Sequence, residues 1–362
     1  MNNNPVTSRE QLTPAWFTET LTRNSSLRSG SVREVALEGT PSNHALILRI
    51  KLRYSADATG EKPEKLLIKI CPNESAIIGS FFGTSEVDYY ARDYVNLADA
   101  PLPRCYDVAY SPEQRRYHLL LADLTDTHHI NWETVPYEGY ALAVAEALAV
   151  LHSHWWGKER LELSGEPITD RPKLERYLEH VLPGFEPMLA DIEGEIKPEW
   201  VEAIKLIYQR HPDRLFERIN NPVGFTLVHG DNNPGNILAP NEGDKPVYLI
   251  DRQPFDWSLT NWLGANDLAY LMVPWWEPEQ RRELEFKVLR QYHATLQTRG
   301  LQDYSWEALL HDYRLCVIQS LYVPANWCVD ARERREMRWL WTKQLERVMS
   351  AYFELGCAEV LD

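Results

Sequence analysis

The chain has 362 residues, of which 44% are apolar and 25% are charged, a composition typical of soluble proteins of about two domains. Its formal net charge is −15, and such a field repels polyanions, so nucleic acid is not an expected partner. The N-terminus has no apolar leader, and no window approaches the ~18 apolar residues of a membrane span. The five cysteines form no CxxC pair, which suits a reducing compartment and predicts a cytoplasmic protein.

Strands dominate the predicted structure as far as about residue 125. Residues 11–22 predict a short helix, with Thr13 as its N-cap and Pro14 at its first position. A second helix follows Ser85, because apolar side chains recur there at helical spacing up to Leu97. Strands are predicted at 31–39, 43–55, 65–71, 104–111 and 115–124.

The remainder of the chain is mostly helical in its patterning. A long apolar helix is predicted at 137–156, and two short strands flank Asp231 and Asp251. Further helices are predicted at 171–182, 197–210, 277–298, 303–320 and 331–354. This change of character predicts an α+β fold of two lobes. Residues 1–124 form a small antiparallel-sheet lobe with one main helix, and residues 125–362 form a larger, mostly helical lobe.

The stretch "VHGDNNPGNIL" and the later "VYLID" carry the strongest chemical signal. Asp231 and Asn236 are five residues apart in a tight loop, and Asp251 follows fifteen residues after Asn236 at the end of an apolar run. A hairpin would place Asn236 beside Asp251, and two such oxygen donors suit Mg²⁺. Asp231 would remain to orient a hydroxyl, which is the arrangement that phosphoryl transfer from ATP needs. Each piece alone also occurs in ordinary turns and caps; the ordered set favours the chemical interpretation.

The ordered motifs resemble those of aminoglycoside phosphotransferases and choline kinases, and most closely the ecdysteroid-kinase-like branch. The likeness includes "LTPAWFTETL", "EVDYYARD", "LLLADLTD", "LAVLHSHWW" and "NDLAYLM", and it spans roughly residues 11–330. It implies a protein-kinase-like fold with ATP and Mg²⁺ as cofactors. By this resemblance Asp231 is the catalytic aspartate, and Asn236 and Asp251 are the metal ligands. Asp267 and His229 would support the catalytic loop.

A cation for the phosphates is expected in the first lobe. Lys69 lies mid-strand among apolar neighbours, where an unpaired ammonium is costly. Similar kinases pair such a lysine with a glutamate of the next helix, which here is Glu86. The alternative is that Lys69 faces solvent from an edge strand and that Glu86 only favours the helix dipole.

The nucleotide loop lacks the usual glycine pattern. "LEGTPSNHALIL" contains only Gly39, so GxGxxG is absent. In the branch that the chain resembles, a Ser or Asn side chain commonly replaces some backbone contacts, and Ser42 and Asn43 are the candidates. They are equally compatible with a plain turn.

The predicted adenine-binding hinge is "LADL", with backbone contacts from Leu121, Ala122 and Leu124. Relatives more often have Glu at position 122, but a backbone contact does not need that side chain. Arg252 is a second departure, because relatives often have a bulky apolar residue there. It could reach a phosphate or the acceptor, or form a surface ion pair; the surface pair is the favoured prediction.

A small molecule is the expected acceptor. Only fifteen residues separate Asp251 from Asp267, and no APE anchor follows, so the activation segment of a protein kinase is absent. The predicted function is therefore transfer of the ATP γ-phosphate to a hydroxyl of an amino sugar, an amino alcohol, a sterol or a similar compound. A catalytically silent nucleotide sensor or scaffold is the alternative. Seven tryptophans of the second lobe line the acceptor pocket or pack in the core: Trp155, Trp156, Trp257, Trp262, Trp275, Trp276 and Trp327.

Overall fold

The computed structural model describes residues 4–39, 45–71, 83–132, 135–165, 168–243 and 245–362. The chain divides into two compact units. The first comprises Met1–Ala98, Leu102–His129 and Pro240–Asp256. The second comprises Asp99–Pro101, Ile130–Ala239 and Trp257–Asp362. The chain thus returns to the first unit for the segment that carries Asp251.

The strands of the described residues are short, apart from those of the main sheet. They are β1 (Leu27–Ser29), β2 (Val32–Glu38), β3 (Leu46–Tyr54), β4 (Thr59–Gly60), β5 (Lys65–Cys71), β6 (Cys105–Ser111), β7 (Arg116–Ala122), β8 (His128–Ile130), β9 (Phe225–Leu227), β10 (Ile237–Pro240), β11 (Tyr248–Leu249) and β12 (Asn261–Leu263). The main sheet belongs to the first unit, is antiparallel throughout and has the strand order β2-β3-β5-β7-β6. In the second unit β9 pairs with β12, also antiparallel.

The helices make up most of the second unit. They are α1 (Pro14–Arg23), α2 (Ser85–Asp88), α3 (Glu138–His154), α4 (Lys158–Leu163), α5 (Arg171–Val181), α6 (Phe185–Asp191), α7 (Pro198–Arg218), α8 (Gly264–Met272), α9 (Pro278–Thr298), α10 (Trp306–Gln319), α11 (Tyr322–Trp327), α12 (Ala331–Glu336) and α13 (Arg338–Glu354). None of these helices of the described residues is both long enough and apolar enough to cross a bilayer. The antiparallel sheet and the predominantly helical second unit confirm the predicted fold class.

Two predicted helices differ in detail from those observed. The helix that starts at Ser85 turns into a π-helical segment, Tyr89–Asp93, and ends there, so Leu97 lies beyond it. The helix predicted at 331–354 is two helices, α12 and α13, because Met337 leaves the helical backbone conformation with φ −98° and ψ 11°. The Thr13 cap is as predicted, because its side chain accepts a hydrogen bond from the Trp16 N–H.

Strand β5 is central in the sheet, between β3 and β7. One of its faces packs in the core, and Lys69 lies on the other. Leu66, Ile68 and Ile70 face a core that also contains Phe17 of α1. Burial of such side chains contributes roughly 1.5–3 kcal/mol each to folding. Because side chains alternate along a strand, Lys69 projects from the opposite face. The edge-strand alternative for Lys69 is therefore wrong.

Candidate functional site

The loop that carries Asp231 is stabilised by its own polar side chains. It follows β9 and ends in a 3₁₀ turn, Pro234–Asn236, that leads into β10. The Asn233 side chain caps this turn by accepting from the Gly235 N–H at 2.8 Å. The Asp231 N–H donates to the Nδ1 of His229 at 3.3 Å. His229 therefore makes the local hydrogen bond expected of a residue that supports the loop.

The Asp231 carboxylate accepts hydrogen bonds on both of its oxygens. Its Oδ1 accepts from the Tyr270 hydroxyl at 2.8 Å and from the Asn233 amide at 2.9 Å. Its Oδ2 accepts from the Nδ2 of Asn236 at 3.1 Å, and the same nitrogen donates to the Asp231 carbonyl at 2.7 Å. These donors fix the direction of the carboxylate. The Asn236 nitrogen faces Asp231, so Oδ1 is the atom that Asn236 would present to the predicted metal.

Asp267, on α8, lies beneath this loop and is fully buried. Its carboxylate accepts from the backbone N–H groups of His229 at 2.6 Å and Gly230 at 2.9 Å, and from the Nε2 of His152 at 3.1 Å. Its carbonyl accepts from the Asn232 side chain at 2.8 Å. Burial alone would raise the pKa of Asp267, but its hydrogen bond with His152 and its other partners hold that pKa below its ordinary value.

The helix that carries Asp267 begins at a glycine for a steric reason. A Cβ on Gly264 would lie 2.4 Å from the Tyr292 hydroxyl and 3.0 Å from the Nδ1 of His152. These two side chains hydrogen-bond to each other at 2.8 Å. Gly264 thus leaves room for the Tyr292–His152 pair that orients the imidazole toward Asp267.

Replacing Asp267 by Asn should destabilise the protein by about 1.5–3 kcal/mol, as expected when buried hydrogen bonds to a charged acceptor are lost. Because the pKa of Asp267 is lowered in the folded state, its contribution is fully present above the unfolded pKa of about 3.9. This contribution to stability is lost as the pH falls through the lower pKa that Asp267 has in the folded state. Urea unfolding from pH 7 to pH 3 should therefore show a difference between wild type and variant that shrinks below about pH 4. If the free energies of unfolding of wild type and variant differed by the same amount from pH 7 to pH 3, this would contradict an ionised Asp267.

In the first unit, Lys69 lies between two carboxylates. Its Nζ is 2.9 Å from both Oε1 and Oε2 of Glu86 and also contacts Oδ1 of Asp251. The side chains of Lys69 and Glu86 are 14% and 2% exposed, whereas that of Asp251 is 43% exposed. The Tyr117 hydroxyl donates to the second oxygen of Glu86. The structure thus brings together the Lys69–Glu86 pair that the sequence predicts and adds Asp251 to it.

The electrostatics of this cluster keep Lys69 charged. Burial alone lowers the pKa of the Lys69 ammonium, but the charges of Asp251 and Glu86 outweigh burial and hold the pKa well above its usual range. Burial raises the pKa of the Glu86 carboxyl to about 7, with the charge of Lys69 acting in the opposite direction. A permanent cation therefore lies beside the exposed carboxylate of Asp251.

Arg252 is not a surface residue, and the prediction of a surface ion pair is wrong. Its side chain is 1% exposed, and its guanidinium lies 2.6 Å from Oδ2 of Asp93, which is fully buried. Asp93 ends the π-helical segment that follows Glu86. A charge can be buried there because its partner is buried with it.

The predicted nucleotide-contacting segments are only partly described. Ser42 and Asn43 lie outside the described residues. Gly39, at the end of β2, has φ +146°, and a Cβ there would lie 2.3 Å from the Ile47 carbonyl oxygen, so a side chain has no room.

Part of the hinge backbone forms hydrogen bonds within the first unit. The Ala122 N–H donates to the Arg104 carbonyl at 2.8 Å, and the Leu124 carbonyl accepts from the N–H groups of Thr127 and His128. Leu121 lies within β7, opposite Leu67 of β5. In the described part of the chain the Leu124 N–H makes no hydrogen bond to the protein backbone. It is thus the donor that this segment has available for an adenine edge.

The donor set proposed for a metal fits Mg²⁺. Asp251 and Asn236 offer carboxylate and carboxamide oxygens, the hard ligands that this ion prefers. The Asp251 carboxylate is 43% exposed. Within the described ranges, no three His, Cys, Asp or Glu side chains are grouped as a metal site. The convergence of Asn236 and Asp251 on one ion stays a prediction.

Three polar residues around Asp231 and Asp267 were not identified from the sequence. Tyr270 follows Asp267 by three residues on α8, and this helical spacing puts both side chains on the face toward the loop. That spacing was the available signal. Asn233 and His152 had weaker signals, namely an extra Asn inside the loop and a His within the apolar helix α3.

The seven tryptophans divide into buried and half-buried residues. Trp257, Trp262 and Trp276 are buried, and Trp262 donates from its indole N–H to Gln319 at 2.9 Å, so these pack in the core. Trp275 is half-buried, and its ring lies edge-on to that of Tyr270, with centroids 6.1 Å apart. Trp155, Trp156 and Trp327 are also half-buried. Trp275 is thus connected to Asp231 through Tyr270.

Comparison with solved structures gives the fold class. A choline kinase from Cryptosporidium parvum Iowa II matches with a TM-score of 0.54 and 11% identity over 89% of each chain. The GDP complex of an aminoglycoside 2′-phosphotransferase-IIIa mutant matches with a TM-score of 0.53 and 14% identity, over 94% of this chain and 99% of that one. A glucosamine kinase in complex with glucosamine, ADP and inorganic phosphate matches with a TM-score of 0.52 and 13% identity, over 91% and 81%. The fold is the protein-kinase-like fold, as predicted.

The sequence also matches a family model. The model of the ecdysteroid kinase-like family matches residues 43–304, and the chain belongs to that family. The predicted resemblance to the ecdysteroid-kinase-like branch is confirmed. Comparison with curated protein sequences gives no significant match.

Proposed function

We propose that the protein is an ATP- and Mg²⁺-dependent phosphotransferase that moves the γ-phosphate to a hydroxyl of a small molecule. The observation that carries the proposal is Lys69, a buried ammonium that contacts both Glu86 and Asp251. A lysine in this setting is costly to bury for structure alone. It is well suited to bind phosphate oxygens next to a carboxylate that faces solvent.

In the proposed reaction Asp231 positions the acceptor. Its carboxylate, held by Tyr270, Asn233 and Asn236, accepts a hydrogen bond from the acceptor hydroxyl and aligns it with the γ-phosphorus. The hydroxyl oxygen forms the new P–O bond as the bond to the β,γ-bridging oxygen breaks. The hydroxyl proton passes to Asp231, and ADP leaves with the bridging oxygen. In a loose transition state this proton moves late, so positioning is the main contribution.

The remaining residues bind the nucleotide in this proposal. Lys69 contacts the α- and β-phosphates, and Glu86 keeps its ammonium directed toward them. Asn236 and Asp251 would hold Mg²⁺, which would neutralise the charge that develops on the phosphates. The Leu124 N–H binds the adenine edge. Two nucleotide complexes among the structural matches, one with GDP and one with ADP, support a nucleotide as ligand.

A silent nucleotide-binding sensor is the second candidate, since it would share the fold. The full set of Lys69, Glu86, Asp231, Asn236 and Asp251 weighs against it. A silent protein does not need the Asp231 carboxylate, which three side-chain donors fix in direction.

A screen for ADP release would test the proposal. Purified protein is incubated with Mg-ATP, or Mg-GTP in parallel, and with amino sugars, amino alcohols, nucleosides and sterols in turn. We expect acceptor-dependent release of the diphosphate with one compound class, and none with the Asp231→Asn variant. Saturable Mg-nucleotide binding without acceptor-dependent release across these classes would favour the sensor.

A further inference from the structure

Arg252 immediately follows Asp251 and is fixed by a buried ion pair. Its guanidinium bonds to Asp93 at 2.6 Å, and the side chains are 1% and 0% exposed. Asp93 also accepts from the Nε of Arg92 at 2.9 Å. Charge-assisted pairs of this kind have strict geometry, so the position of Arg252 relative to the π-helical segment is closely defined.

A second contact joins the same two segments on the other side of Asp251. The Tyr89 hydroxyl lies 3.5 Å from the Leu249 carbonyl, and the guanidinium of Arg252 lies 5.6 Å from the centroid of the Tyr89 ring. Tyr89 is itself buried. The chain is thus tied to the π-helical segment both before and after Asp251.

The backbone between these two ties is strained. Asp251 has φ +61°, a left-handed conformation that a non-glycine residue adopts at a cost of about 1–3 kcal/mol unless its surroundings compensate. This conformation turns the carboxylate toward Lys69, which it contacts. Arg252 is the next residue along the chain, and it is buried and paired with Asp93. It is therefore well placed to impose this backbone conformation on Asp251.

We propose that Arg252 is a positioning residue: its ion pair with Asp93 holds Asp251 in the left-handed conformation in which the carboxylate can bind Mg²⁺ with a nucleotide. The inference rests on the proposed function. Arg252 itself touches neither metal nor nucleotide in this scheme. It links the metal carboxylate to the π-helical segment that directly follows α2, the helix that carries Glu86.

The test measures nucleotide binding with and without Mg²⁺. ADP affinity is determined by titration calorimetry in excess Mg²⁺ and in EDTA, and the ratio of the two constants gives the enhancement by the metal. In Arg252→Met we expect the enhancement to fall by about 10–100-fold, the usual effect of losing a group that orients a metal ligand. Affinity in EDTA should be unchanged, because the phosphate-binding Lys69 remains.

The double variant Asp93→Asn/Arg252→Met separates positioning from stability. Removing both charges avoids an unpaired buried carboxylate, so the double variant should be more stable than Arg252→Met. We still expect it to lack the enhancement, since nothing fixes Asp251. Recovery of the wild-type enhancement in the double variant would overturn the inference and assign Arg252 a structural role only.

Arg218→Met is the matched control. Arg218 forms a comparable ion pair in the second unit, with its Nε 2.8 Å from Asp312. Its loss should lower stability and leave the Mg²⁺ enhancement unchanged. A wild-type enhancement that persists in the Arg252 variants would overturn this inference alone. Absence of any Mg²⁺ enhancement in wild type would instead contradict the proposed function, and this inference with it.

Discussion

Asp231→Asn is expected to reduce turnover by about 10²–10⁴-fold, the range found when a general base is removed, with Mg-ATP affinity retained. The amide has the size of the carboxylate but cannot take the proton of the acceptor. Its oxygen can still accept from Tyr270 and Asn233, while its nitrogen would face the Nδ2 of Asn236. Steady-state kinetics with the acceptor from the screen and calorimetry with nucleotide measure the two effects.

Asp213→Asn is a suitable control for this change. Asp213 is an exposed acid on α7 of the same unit, and its loss removes the same charge from the protein. It should leave turnover unchanged. Near-normal turnover of Asp231→Asn would remove Asp231 from the chemistry; an equal loss in both variants would point to a non-specific charge effect.

Lys69→Met should lower kcat/KM by about 10–200-fold, the equivalent of one hydrogen bond to a charged group. It should also destabilise the protein, because Glu86 would remain buried without its cation, a change that costs about 3–5 kcal/mol. Kinetics over a range of ATP concentrations and urea unfolding record the two losses separately. An unchanged nucleotide affinity and rate would show that Lys69 does not bind the phosphates.

The double variant Lys69→Met/Glu86→Gln distinguishes the two roles of Lys69. Replacing Glu86 by Gln removes the uncompensated charge and keeps an acceptor for the Tyr117 hydroxyl, which donates to Glu86 in the wild type. Stability should therefore recover in large part. Activity should not, because no cation would remain for the phosphates. Joint recovery would mean that Lys69 acts on activity only through folding.

The elements that sequence reasoning located well are those with strong local patterns. The apolar residues around Lys69 predict strand β5, and the apolar patterning of residues 137–156 and 277–298 predicts α3 and α9, which the structure shows. The recurrence of apolar side chains up to Leu97 predicts a helix as far as that residue, whereas the helical backbone ends at Asp93. Local spacing of apolar residues does not reveal where the folded backbone leaves the helix.

The amino-acid sequence by itself determined the order and chemistry of the candidate site: an ammonium and a carboxylate in the first part of the chain, and a loop with Asp231 and Asn236 in the second. The tertiary structure determined which charged and polar side chains pair with each other. Arg252 pairs with Asp93, which is 159 residues away, and His152 reaches Asp267 across 115 residues. The reason is physical: periodicity reports which face of an element is buried, whereas a buried charge is stable only beside a partner supplied by folding. For that reason Arg252 looked like a surface residue in the sequence and is among the most buried charges of the structure.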